Sequence, residues 1–140
     1  MQVTFINEPR LQILGNGSEW LLAEDFHVRI ESGDGDEPIA FTIPAGFSTD
    51  LASVPRLPVA HMLFAGRARR SAILHDWLYV SRYPRGWADD VFRAAMRNED
   101  VGALARWFMW AGVRIGGGPI YAAHDAKPDP DPRPEHYNPQ

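Results

Sequence analysis

The hydrophobic period of this 140-residue chain changes near residue 60, from strand-like alternation to a helical repeat. A strand buries one face at a period of two and a helix at 3.6. A chain that uses first one period and then the other folds as α+β, with strands and helices segregated along the sequence. Upstream of the change, Val3–Ile6 is short and β-prone, and Leu11–Leu14 alternates before the turn residues Gly15, Asn16, Gly17 and Ser18. Trp20–Leu22 leads into Phe26, Val28 and Ile30, which share one strand face, and Ile39, Phe41 and Ile43 share another. Three to five short strands in an antiparallel meander are expected here. From Ala45 to Arg56 prolines bracket a stretch with neither period, which reads as an ordered loop.

Downstream, Arg69–Val80 carries Ile73, Leu74, Trp77 and Leu78 on a helical face. A second helix is expected from about Trp87, with Val91, Phe92, Ala95 and Met96 as its apolar stripe and Asp89 and Asp90 in its first turn. A third is expected from Val101 to Ile115, with Leu104, Phe108, Ala111 and Ile115 facing inward and Gly116–Pro119 as its stop. The fold expected is therefore a small antiparallel sheet packed against a C-terminal three-helix unit, with Trp77, Phe92, Phe108 and Trp110 in the core. Residues 1–125 form the single domain. Residues 126–140 carry five prolines among charged residues and read as an extended arm laid on a neighbouring subunit.

Composition removes several function classes. There is no cysteine, which excludes a disulfide scaffold, a zinc–thiolate site and a cysteine nucleophile. A formal net charge of −4 argues against nucleic acid as a partner. No apolar run reaches the ~20 residues that span a bilayer, and the first residues do not read as a secretory signal. Gly116–Gly118 lacks the lysine and spacing of a phosphate loop, and neither a Gly-x-Ser-x-Gly elbow nor a His-Glu-x-x-His helix is present. His27, His61, His124 and His136 have no partner that the sequence can name.

The polar residues that stand out are Asp50 in the loop, the run His75-Asp76-Trp77-Leu78-Tyr79, and Asp89. A His-Asp pair in an apolar helix is costly unless both groups find partners. Adjacent helical residues point about 100° apart, so His75 and Asp76 line one wall without bonding each other. Tyr79, four residues on, sits beside His75. Asp89 is the carboxylate that could face His75 from the next helix and hold its ring in one tautomer. Each also has a bland reading: a rigidified loop for Asp50, a helix-end charge for Asp89, and a core histidine satisfied by a carbonyl for His75.

The segment from Pro44 to Arg56 (PAGFSTDLASVPR), followed by His75-Asp76-Trp77-Leu78-Tyr79, Arg82, Ala88-Asp89, Phe92 and Val113-Arg114, resembles a phage and prophage family of unknown function numbered 1353. The resemblance implies a bacteriophage product, encoded near tail or lysis functions, and no particular reaction. The His-Asp-x-x-Tyr helix is also locally similar to secreted phospholipases A2. That similarity implies His75 as the base, Asp76 as a calcium ligand and Asp89 as the group that orients the histidine.

Two functions follow as expectations. The first is a tail-associated virion protein, at the tail tip or baseplate, whose partners are other phage structural proteins or its own copies. The second is a metal-assisted hydrolase of the cell envelope, acting on peptidoglycan or lipid. In it His75, Asp89 and Tyr79 are the catalytic set, and Asp76 and Asp50 hold a divalent cation such as calcium, magnesium or zinc. Either protein would reside in the phage tail, or in the host cytoplasm before assembly. An intracellular inhibitor of a host protein is a third class, which no residue selects.

Overall fold

The computed structural model describes residues 1–15, 19–33, 35–49 and 68–123. Among the described residues six strands precede three helices: β1 Gln2–Phe5, β2 Leu11–Ile13, β3 Trp20–Leu22, β4 Phe26–Glu31, β5 Ile39–Ile43 and β6 Ser48–Thr49, then α1 Arg69–Val80, α2 Arg85–Asn98 and α3 Ala103–Ala123. The α+β expectation holds. The simple meander does not: the strands form two antiparallel sheets of three, ordered β1-β4-β5 and β2-β3-β6. The β2–β3 hairpin is inserted between two strands that pair with each other, which a reading of strand propensity alone does not reveal.

Alternation explains the first sheet. Phe26, Val28 and Ile30 of β4 are buried while His27 and Arg29 are exposed, and across the ladder Val28 lies opposite both Phe5 and Phe41. The buried face joins Val3, Phe41 and Ile43 to Ile73, Leu74, Leu78, Tyr79 and Val91 of the helices. A second cluster, Ala72, Phe92, Met96, Met109 and Val113, joins the three helices to each other.

The segment after β5 turns sharply at Pro44–Phe47. Phe47 N donates to Pro44 O at 3.2 Å, with Gly46 at φ 90° in the left-handed region. Gly46 N donates to Leu22 O and Leu22 N to Phe47 O, which delivers the next residues to β3 as β6. Part of the expected loop is thus a strand, and Thr49 is carried towards α1.

Helix α1 has the expected bounds, and α2 begins two residues earlier than expected. The α1–α2 turn closes with Tyr83 N donating to Leu78 O at 3.0 Å and Arg82 at φ 61°. The start of α1 has no cap of its own. Glu99, just past α2, supplies one from outside: its carboxylate accepts Arg70 N at 3.1 Å and Ser71 N at 3.0 Å.

Helix α3 departs most from expectation. It continues through Gly116, Gly117 and Gly118 and past Pro119 to Ala123. Its buried residues are Met109, Val113 and Gly117, an i, i+4, i+8 row. The face expected to point inward is outside: Leu104 is 71%, Phe108 48% and Ile115 85% exposed. Phe108 is therefore not a core residue, and Trp77 and Trp110 are only partly buried, whereas Phe92 is fully buried. The helix survives its glycines because they let it approach α1 and α2. A Cβ on Gly117 would stand 2.7 Å from Tyr79 Oη. Near the carbonyl that loses its donor to Pro119, the Arg85 guanidinium donates to Val113 O and Arg114 O, and Tyr121 Oη ties the last turn to Tyr83 O at 2.9 Å.

Candidate functional site

Helices α1 and α2 are antiparallel neighbours across a four-residue turn, so residues on their facing sides meet. His75 and Tyr79 are one helical turn apart on α1, with ring centroids 4.1 Å apart. From α2, Asp89 reaches both. Tyr79 Oη donates to Asp89 Oδ1 at 2.6 Å, and His75 Nε2 lies 3.0 Å from the same oxygen. The ring of Phe92, one turn after Asp89, lies against the imidazole at 4.8 Å between centroids. His75, Tyr79 and Asp89 have no solvent-exposed surface. Asp89 lies in the second turn of its helix, not the first, so its role is this buried contact and not a helix-end charge.

The charge state follows from the donors. Burial works to raise the Asp89 carboxyl pKa, but hydrogen bonds from His75, Tyr79 and the Arg114 guanidinium outweigh it and hold the group below the ordinary carboxyl value. Arg114 Nη1, from α3, approaches Asp89 Oδ2 at 3.4 Å. Burial, and then the Asp89 bond, push the Tyr79 phenol well above its usual pKa, so it remains a donor. An ionised Asp89 only accepts, which assigns the hydrogen of the neutral imidazole to Nε2. Nδ1 then carries the lone pair. It is buried and has no hydrogen-bond partner among the described residues.

Asp76 points away from this cluster, as a helical neighbour must. It is buried, and its Oδ2 accepts a hydrogen bond from Thr49 Oγ1 of β6. One carboxylate, Asp89, thus links the helix to the next through His75 and Tyr79, and another, Asp76, links it to the second sheet. Asp90 lies on the outside of α2, where its Oδ1 accepts Trp110 Nε1 at 3.2 Å. Asp50, the remaining candidate, lies outside the described residues, as do His61, His124, His136 and the arm at 126–140. Among the described residues no three of His, Asp, Glu or Cys are grouped to hold a metal ion. The donor set proposed for a cation therefore reduces here to Asp76, which already shares its carboxylate with Thr49.

Four contributors were not among the expected site residues: Thr49, Arg114, Gly117 and Gly86. A Cβ on Gly86 would meet Arg114 Nη1 at 2.9 Å, so this glycine leaves room for the guanidinium beside Asp89. The Met109–Val113–Gly117 spacing was the available signal for the inner face of α3. A groove of about 480 Å³ lies between β1 and the end of α2, lined by Gln2, Glu31, Arg97 and Asn98, and none of the site residues lines it.

The model of the family described as "Protein of unknown function (DUF1353)" matches residues 20–113, two thirds of the chain, and the chain belongs to that family. The match spans β3 to β6 with the Pro44–Phe47 turn, then α1, α2 and the first half of α3, and leaves β1 and β2 outside it. No curated protein and no solved structure matches the chain. Among the described residues no helix is long and apolar enough to cross a membrane.

Proposed function

We propose that the chain is a phage-encoded hydrolase of the cell envelope in which His75 is the general base. The observation that carries this reading is the His75 ring, fixed through Nε2 by a carboxylate, with Nδ1 bearing a free lone pair. Nδ1 takes a proton from water as the water attacks an acyl carbon of lipid or peptidoglycan. Asp89 stabilises the imidazolium so formed, and the proton then passes to the leaving group. Tyr79 does not meet substrate. It is a positioning residue that keeps Asp89 ionised and in register with Nε2. Asp76 and Asp50 remain the proposed donors for a divalent cation, and no step above is routed through it. His75 is buried, so the base works only when water and substrate can reach Nδ1.

A reaction time course on phospholipid vesicles and on isolated peptidoglycan tests the reading, with calcium, magnesium or zinc supplied in turn. Wild-type protein is expected to release product from one substrate. His75→Gln is expected to lose about 10²–10⁴-fold in kcat, the usual contribution of a general base. Mapped acylation of the imidazole by diethyl pyrocarbonate reports whether Nδ1 can be reached. No turnover on either substrate, together with an unmodified His75, would leave the cluster as architecture. The tail-component reading rests on the arm at 126–140, outside the described residues. It is compatible with the hydrolase, since a virion can carry one.

A further inference from the structure

The two oxygens of Asp89 are served by different helices. Oδ1 faces α1, where it takes the Tyr79 hydroxyl at 2.6 Å and the His75 ring at 3.0 Å. Oδ2 faces α3, where Arg114 Nη1 lies at 3.4 Å, and among the described residues Arg114 is the donor that serves it. An aspartate carboxylate turns broadly about its last torsion. Donors on both oxygens, not a rotamer well, therefore fix the direction in which Oδ1 points.

The guanidinium sits in a socket built by α2 and its own helix. Arg85, Gly86 and Asp89 of α2 fall about one turn apart. Arg85 Nη2 donates to Val113 O at 3.1 Å and also to Arg114 O, which pins the main chain that carries the Arg114 side chain. A Cβ on Gly86 would stand 2.9 Å from Nη1, so the space is cleared for it. The Trp110 ring, one turn back on α3, flanks the guanidinium at 5.8 Å from its centroid, and Asp90 holds that indole at 3.2 Å. A half-exposed arginine that only offset the Asp89 charge would need neither the cleared space nor the pinned main chain.

We infer that Arg114 is a positioning residue for the general base. It holds the carboxylate so that Oδ1 meets Nε2, and through Asp89 it keeps the imidazole in the orientation that leaves the Nδ1 lone pair free. The catalytic consequence rests on the hydrolase reading; the placement of the ring rests on the geometry alone.

Kinetics and a ring spectrum test it together, on protein carrying a nitrogen isotope label in its histidine rings. The variants are Arg114→Gln, Arg114→Lys, Gly86→Ala and Arg93→Gln. In Gly86→Ala the new methyl displaces the flexible end of Arg114 without removing its charge. Arg93 lies over the same Trp110 ring, 5.3 Å from its centroid, and serves as the control. Wild-type protein is expected to show the His75 Nε2 proton as a resolved, slowly exchanging signal. Arg114→Gln and Gly86→Ala are expected to broaden or lose it, and to lower kcat roughly tenfold to a hundredfold with KM about unchanged. Arg114→Lys is expected to restore part of both, because one nitrogen makes the contact, and Arg93→Gln to match wild type. If Arg114→Gln does not fold, Gly86→Ala decides. An unchanged signal and kcat in these two variants overturn the inference, even where the melting temperature falls. Wild-type protein that turns over neither lipid nor peptidoglycan overturns the hydrolase reading instead. The signal then decides the placement of the ring: its loss in Gly86→Ala supports the inference and its persistence overturns it.

Discussion

Asp89 accepts from three side chains on two helices while fully buried, so each donor leaves a different deficit when removed. Asp89→Ala strands the His75 Nε2 hydrogen and the Tyr79 hydroxyl without an acceptor. A loss of about 3–5 kcal/mol is expected by urea denaturation, as for other buried charged networks that lose a partner. Tyr79→Phe removes one hydrogen bond to a charged group and is expected to cost about 1.5–3 kcal/mol. The two groups also set opposite pH limits. The Asp89 pKa is lowered in the fold, so its stabilisation is complete above the ordinary carboxyl range and is lost as pH falls through the lowered value. The Tyr79 pKa is raised, so its contribution is complete below about pH 10 and is lost as pH rises towards the folded value. Urea midpoints measured against pH should therefore converge for wild type and Asp89→Asn in acid, and the alkaline decline should be weaker in Tyr79→Phe. Parallel curves at all pH values would remove both groups from the stability balance. The acid–tyrosine–histidine grouping was legible in the sequence because helical spacing fixes which residues share a wall. Thr49 was not, because its meeting with Asp76 is made by tertiary packing across 27 residues.

At the scale of an element, α3 shows why a glycine run is ambiguous. Three glycines before a proline are a stop signal by local propensity, and nothing local reports that a neighbouring helix needs the space. The same helix supplies the contrast that tests this account. In Gly117→Ala the new methyl meets Tyr79 Oη, itself held by Asp89, and about 1–3 kcal/mol of destabilisation is expected. In Gly118→Ala the nearest atom is Arg85 Nη1 at 3.7 Å, an ordinary contact. That change should stabilise by about 0.5–1 kcal/mol, as glycine to alanine does inside a helix. Thermal melts of the pair decide it; equal shifts in one direction would contradict the close packing of α3 on Tyr79. The inward face of α3 was misread for a related reason. Large aromatic residues attract assignment to the core, whereas this helix buries Met109, Val113 and Gly117 and leaves Trp107 and Phe108 outside.

Across the whole molecule, α1 belongs to both hydrophobic clusters, with Ile73, Leu74 and Leu78 against the first sheet and Ala72 against α2 and α3. The two halves of the sequence are therefore expected to unfold together. Far-ultraviolet and near-ultraviolet signals should give coincident transitions, and Phe92→Ala, in the helical cluster, should lower both by about 3–5 kcal/mol. Separate transitions would show that the strands and helices hold together independently. The change of period along the sequence correctly divided strands from helices, but not the pairing order, because pairing depends on which strands close a loop and not on any one strand's residues.

That pairing order has a kinetic consequence. Phe5 lies opposite Val28, so β1 can join its sheet only after the intervening hairpin has been brought out of the way, whereas α1 and α2 meet across a short turn. Closing the longer loop costs entropy before it returns contacts. β1 is then the last to dock, although it precedes the rest of the fold in sequence, and its contacts are absent from the rate-limiting step. Val3→Ala, at a buried position of β1, should accelerate unfolding and leave the refolding rate nearly unchanged. In pulsed hydrogen exchange, amides of α1 and α2 should gain protection before those of β1.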